Sequence, residues 1–117
     1  MKNSPLLEKS KVFAKEIVLL AKDLQSGKKE FVLSKQLLRA GTSIGANVHE
    51  AQYAQSKDDF KSKLKIALKE CYESEYWIEL LYETDYISEQ EYKNLKNDCG
   101  SIRRILISSI NTLEAQK

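Results

Sequence analysis

The sequence predicts an all-α fold, an antiparallel up-down-up-down four-helix bundle formed by residues 1–117 as one domain. Three observations lead to it. Apolar residues recur in alternating steps of three and four, near the 3.5-residue period of helices packed at a shallow angle. Nothing alternates with period two over a useful length, so a sheet is not expected. Breakers are scarce, with 4 glycines and 1 proline in 117 residues, which favours long helices and short connections. Loops of a few residues make consecutive helices antiparallel neighbours. The chain length suits one domain, and 42% hydrophobic residues suffice for a core.

Each element has its own signals. Ser4 is an N-cap and Pro5, the only proline, takes the first position of a helix. Its apolar stripe is Leu6, Phe13, Ile17, Leu20 and Leu24, interrupted by Ser10, and it ends at Gly27 and Lys28–Lys29. A second helix runs from about Val32 to Ala54 on Ser34, Leu37, Gly41, Ile44, Val48 and Ala51. Ser56 caps a third, with Asp59 three residues on as a weaker capping box. Its stripe is Phe60, Leu64, Ala67, Cys71, Ser74, Ile78 and Leu81. Asp85–Ser88 forms the last turn; Ser88 with Glu91 makes a capping box, and Ile87 with Tyr92 a hydrophobic staple. The fourth stripe is Tyr92, Leu95, Cys99, Ile102, Leu106 and Leu113, with Ser109 or Ile110 filling the gap.

The second helix contains QLLRAGTSIGANVHEAQ, Gln36–Gln52, with two glycines four residues apart. Each costs about 1 kcal/mol against alanine in a helix interior. With Leu37 at zero and 100° per residue, Gly41 falls within about 40° of the core direction and Gly45 at about 80°, on the flank. Gly41 lets a facing helix approach or a large side chain fill the gap. The far side carries Arg39, Thr42, Ser43, Ala46, Asn47 and Glu50, mostly small residues where a solvated face would carry long ones. Small residues on both sides predict close neighbours on both sides, one being a second chain. Helix three is apolar or aromatic in every direction around Tyr76, Trp77, Ile78, Leu80, Leu81 and Tyr82, and helix four likewise around Ile102, Ile105, Leu106, Ile107 and Ile110. Homo-oligomerisation explains these belts, with a wide core as the competing explanation.

The formal net charge is +2, so any basic footprint is local. On helix three, Lys57, Lys61, Lys65 and Lys69 share one side, while Asp59, Glu70 and Glu73 share the other. Arg103–Arg104 forms a second basic pair. These lysines read either as a solvated face or as a phosphate-contacting patch repeated by oligomeric symmetry. Arg39 reads as a paired structural ion or a phosphate clamp, Asn47 and Glu50 as interface hydrogen-bonding groups, and the aromatic cluster as core or base-stacking platform.

Catalytic and cofactor signals are lacking. Two-metal carboxylate bundles need Glu-x-x-His pairs; the only histidine is His49, preceded three residues earlier by Ala46. One histidine and the scattered Cys71 and Cys99 make no zinc site, and both cysteines fall at core positions as free thiols. No phosphate-cradling loop or nucleophile elbow occurs. The reading is no enzyme, no cofactor, no metal and no small-molecule substrate. The charged N-terminal stretch and the absence of a long apolar run predict no targeting segment and no membrane span, hence a cytoplasmic protein.

QLLRAGTSIGANVHEAQ, followed by SKDDFKSKLKIALKECYESEYWIELL at Ser56–Leu81, resembles the four-helix-bundle proteins encoded within intervening sequences of bacterial 23S ribosomal RNA genes. The resemblance runs from about Phe13 to beyond Leu106. Its most specific parts are Arg39, Ser43, Ile44, Gly45, Ala46, Asn47 and Glu50, then Ser56, Asp59–Phe60, Ala67–Leu68, Glu73 and Tyr76–Trp77. It matches the branch with glycine at position 45; another branch tends to have proline there, and glycine where this chain has Ala51. The resemblance implies a left-handed bundle and a homo-oligomer, commonly a ring of five. It also implies kinship with the accessory protein of diversity-generating retroelements, which binds nucleic acid. The expected function is a non-catalytic accessory or scaffold that contacts RNA or DNA through Lys57, Lys61 and Lys65, with Arg103 and Arg104 as a second patch. The alternative is a protein–protein adaptor with no nucleic-acid role.

Overall fold

The computed structural model describes residues 4–116; the first three residues of the charged N-terminal stretch, and residue 117, lie outside it. Four helices account for most of it: α1 (Pro5–Gly27), α2 (Leu33–Ala51), α3 (Lys57–Glu83) and α4 (Glu89–Ala115). No strand occurs among the described residues. Each helix packs on its neighbours in chain order and α4 closes on α1, while the backbones of the diagonal pairs α1–α3 and α2–α4 stay apart. The α1–α4 seam is the sparsest of the four. The molecule measures 48 × 22 × 21 Å, as expected of 27-residue helices of about 40 Å laid side by side.

The helix starts follow from side-chain acceptors for otherwise unpaired N–H groups. Leu7 N–H donates to Ser4 Oγ at 3.1 Å, and Asp59 N–H to Ser56 Oγ at 3.0 Å. Ser88 and Glu91 form a full capping box, with bonds of 3.1 and 2.9 Å. The Ser56 cap is only half a box: the shorter Asp59 carboxylate accepts from Gln55 N–H at 3.1 Å. α2 starts differently. Its N-cap, Val32, has no acceptor, and the carboxylate of Glu30 takes the N–H groups of Val32, Leu33 and Ser34 at 3.1, 2.9 and 2.7 Å. Ser34 Oγ donates back to the Glu30 carbonyl at 2.8 Å.

Helix ends follow the same accounting. α2 stops at Ala51 rather than Ala54, because Gln52, Tyr53 and Ala54 donate three residues back instead of four, to His49, Glu50 and Ala51. α3 ends with Asp85 in the left-handed region (φ 68°) and Tyr86 N–H on the Leu81 carbonyl at 2.9 Å. Lys28 Nζ donates to the Tyr86 carbonyl at 2.5 Å, joining the α1–α2 and α3–α4 connections at one end of the bundle.

The core is a continuous apolar column containing Phe13, Ile17, Leu24, Leu37, Ile44, Val48, Leu64, Ile78, Leu81, Ile102 and Leu106, all fully buried. One stripe position differs from expectation, and one left open is decided. Ala21 is buried where Leu20 was expected, with Leu20 packed at the margin, and Ile110 rather than Ser109 fills the gap in α4. A step of four instead of three at these points keeps the stripe on the core as a straight helix drifts from a strict 3.5-residue repeat.

Both glycines of α2 serve one crossing. A Cβ on Gly41 would meet the Ile17 side chain at 2.9 to 3.3 Å, so Ile17 fills the gap. A Cβ on Gly45 would stand 3.2 Å from the Ser10 carbonyl oxygen of α1. Gly45 is therefore not a free flank position; it faces the α1 backbone at Ser10. Ser10 is fully buried for the same reason, and its hydroxyl donates to the Leu7 carbonyl at 3.2 Å.

Candidate functional site

The residues singled out in α2 and α3 form a polar lattice across the α2–α3 seam. Arg39, about half exposed, pairs with Glu70 at 3.4 Å and with Glu73. Glu73 also accepts from Trp77 Nε1 at 2.9 Å, so one carboxylate holds both a guanidinium and an indole. Farther along the seam, Glu50 accepts from Lys63 Nζ at 3.1 Å. Trp77 packs against the core edge and meets Tyr76 edge-on, centroids 5.0 Å apart, while Tyr76 stays 60% exposed. Arg39 thus has two carboxylates around it, the surroundings expected of a paired structural ion. Asn47 Nδ2 donates to the Ser43 carbonyl at 2.8 Å, and Thr42 Oγ1 to the Leu38 carbonyl at 2.7 Å, so the small polar residues of α2 are satisfied by their own helix.

Their smallness opens a groove. Thr42, Gly45, Ala46 and His49 of α2, with Leu7 and Ala14 of α1, line a concave surface of about 720 Å³. A shallower apolar furrow, with Val18 and Leu19, continues it past Lys11 and Ala14. Leu19 is 65% exposed at its edge. On α3, Ile66, Tyr72 and Tyr76 are exposed. The expected all-round belts are otherwise largely absorbed by the protein's own core: Tyr82 stacks on Tyr92 at 4.3 Å, and Ile105 packs against the apolar column.

The basic residues fall into two environments. Lys61 and Lys65 converge on Glu114 of α4, at 3.5 and 3.0 Å, and Lys57 at the start of α3 is exposed with no ion pair among the described residues. With exposed Lys69, four lysines thus share one side of α3, and Glu114 is the one carboxylate that pairs with any of them among the described residues. Arg103 is committed elsewhere: its Nε donates to Glu75 at 3.1 Å and its guanidinium lies 5.8 Å from the centre of the Tyr72 ring. Arg104 is exposed beside it, lining a shallow depression with Ile107, Ser108 and Asn111. The two arginines therefore do not extend the lysine row.

Cys71 and Cys99 are fully buried free thiols; Cys99 Sγ donates to the Cys71 carbonyl at 3.5 Å, and its contact with the Cys71 thiol, together with burial, pushes its pKa far up. Such thiols are unreactive. Among the described residues no group of three or more histidine, cysteine, aspartate or glutamate side chains is placed to hold a metal ion. No helix among them is long and apolar enough to cross a membrane.

Glu30 was missed in the sequence. Its signal is a carboxylate two residues before a capless helix start, outside the usual capping spacing.

An all-α bundle of four helices with polar seams, a surface groove and a local lysine row defines the class. The profile of the family described as 23S rRNA-intervening sequence protein matches residues 2–108, and the chain belongs to that family. It is similar to the crystal structure of a protein with unknown function from the S23 ribosomal protein family of Bacteroides thetaiotaomicron VPI-5482. The identity is 54%, over 90% of this chain and 97% of that one, with a TM-score of 0.89. No match is found among curated proteins.

Proposed function

We propose that the protein is a non-catalytic, homo-oligomeric scaffold of the cytoplasm that contacts RNA or DNA through a lysine row repeated around the assembly. The observation that carries this reading is the row of Lys57, Lys61 and Lys65, four residues apart on one side of α3, in which Lys61 and Lys65 share the single carboxylate of Glu114 and Lys57 has no ion pair among the described residues. A local excess of positive charge on a chain of net charge +2 acts through short-range phosphate contacts, and symmetry multiplies them. Membership in a family described by a ribosomal RNA intervening sequence supports a nucleic-acid role. The pairings Ile17–Gly41 and Ser10–Gly45, then Arg39–Glu73 and Glu50–Lys63, descend one helix while ascending the next. They support the antiparallel up-down-up-down arrangement, with the left-handed twist and five-membered ring expected from the resemblance.

Fluorescence anisotropy with a labelled structured RNA and a matching DNA duplex, at two salt concentrations, tests the reading. Binding should weaken steeply with salt, and Lys57→Gln/Lys65→Gln should lessen the slope by about one unit per lost phosphate contact. Equal, salt-insensitive binding by both proteins, with subunit mass unchanged, rejects it. A protein–protein adaptor is the second reading, favoured by the groove and by exposed Tyr72 and Tyr76. Its apolar contacts would survive added salt.

A further inference from the structure

Glu16 of α1, partly buried, lies beside the exposed Asp98 of α4 across the sparsest seam of the bundle. The α2–α3 and α3–α4 seams are crossed by ion pairs: Arg39–Glu73 and Glu50–Lys63 on one, Arg103–Glu75 and Lys96–Glu79 on the other. Among the described residues no ion pair joins α1 to α4, and Glu16 Oε1 is buried without a hydrogen-bond partner. Beside the pair is a furrow of about 130 Å³ lined by Glu8, Lys9 and Val12 of α1 and Asp98 and Ser101 of α4. Glu8 adds negative charge there, and Lys9, its one cation, forms no ion pair with either carboxyl group. α2 and α3 contribute nothing to the furrow. On α4, the guanidinium groups of Arg103 and Arg104 approach Gly100, two residues past Asp98 and so on the opposite side of the helix.

Two carboxylates facing each other with no bridging cation are mutually repulsive, whereas a single proton converts one of them into a donor. A shared proton also gives a purpose to a buried carboxyl oxygen that no donor reaches. We propose that Glu16 and Asp98 form a proton-operated latch, closing the α1–α4 seam by a carboxyl-to-carboxylate hydrogen bond and loosening it when the proton leaves. The proton goes to solvent, and no other group changes. Burial, the Asp98 charge and the hydrogen bond to Asp98 all raise the Glu16 pKa above its ordinary value. Because the folded-state pKa is raised, the stabilisation is fully present below the unfolded value of about 4.3 and is lost as pH rises through the folded value.

The test is thermal unfolding of the full chain and of Glu16→Gln from about pH 4 to about pH 8. The amide that Glu16→Gln introduces donates to Asp98 at every pH, so the variant should melt several degrees above wild type at the alkaline end, the gap closing in acid. A gap that does not change with pH overturns the latch. Hydrogen exchange at the alkaline end, compared at equal pH, localises the effect: wild-type amides of α1 and α4 should exchange faster than those of Glu16→Gln, with little change in α2 and α3. Uniform acceleration across all four helices overturns it as well. Carboxyl-carbon NMR of the wild-type chain provides a check that needs no variant: an ordinary, uncoupled titration of Glu16 rejects the proposal.

Discussion

Glu30 carries more of α2 than its place in a connection implies. It is nearly buried, and three backbone N–H groups converge on its carboxylate. Burial alone would raise its pKa, but the bonds from Leu33, Ser34 and Val32 outweigh that, and the net shift is downward. A lowered folded-state pKa contributes stability that is present above the unfolded value of about 4.3 and lost as pH falls through the folded value. Glu30→Ala should therefore lower the urea midpoint near neutral pH by the equivalent of about 1–2 kcal/mol, as loss of a helix cap does. The difference from wild type should shrink as pH falls below about 4. A midpoint difference that stays constant into acid would mean that the carboxylate charge plays no part.

At the scale of the element, the α1–α2 crossing is set by two missing side chains. Gly41→Leu must displace Ile17, a β-branched side chain with little rotamer freedom, and should cost about 1–3 kcal/mol. Gly45→Ala adds only one carbon, but that carbon meets the Ser10 carbonyl, which moves only if α1 moves. The gain in helix propensity of about 1 kcal/mol should therefore not be realised at position 45. Gly27→Ala is the control: its Cβ would meet nothing nearer than an Asp23 oxygen at 3.6 Å, so the propensity gain should appear as a higher urea midpoint. If Gly41→Leu or Gly45→Ala raised the midpoint, the close crossing would be wrong.

For the whole molecule, the small outer face of α2 has a geometric consequence, a groove with α1 that a second subunit can fill. The proposed assembly predicts a mass by sedimentation equilibrium well above the 13.4 kDa of one chain. Ala46 is exposed on the groove floor and takes no part in the apolar column. Ala46→Trp should block the groove and shift the mass towards one chain while leaving helical circular dichroism intact. Unchanged assembly would put the subunit contact on another face, with exposed Ile66, Tyr72 and Tyr76 of α3 the next candidates. The aromatic belts are poorer guides to assembly than their composition implies, because Tyr82, Tyr92, Trp77 and Ile105 are already packed against the core margin.

Helix number, three of the four starts and nearly every core position were legible in the sequence, because they depend on local facts. A 3-4 apolar spacing makes a stripe, and a serine before it supplies the missing acceptor. The segregation of lysines and acids on α3 was legible for the same reason, since angular position on a helix follows from residue number alone. What a side chain faces across a seam does not follow from its own helix. Gly45 lies on the flank of α2 by angle, and only the position of α1 sets it against the Ser10 carbonyl. Arg39 meets Glu70 and Glu73 only because α3 brings them to it, and Arg103, in the second basic pair, meets Glu75 and Tyr72 only because α3 packs on α4. Glu30 and Glu16 had no periodic signal at all: one is an acceptor reaching forward from a loop, the other a carboxyl group whose meaning lies in Asp98, 82 positions away in a chain read by number and adjacent once α4 closes on α1. Helical identity is set by neighbours a turn away, whereas charge pairing and close approach are set by distances between helices, which no local pattern encodes.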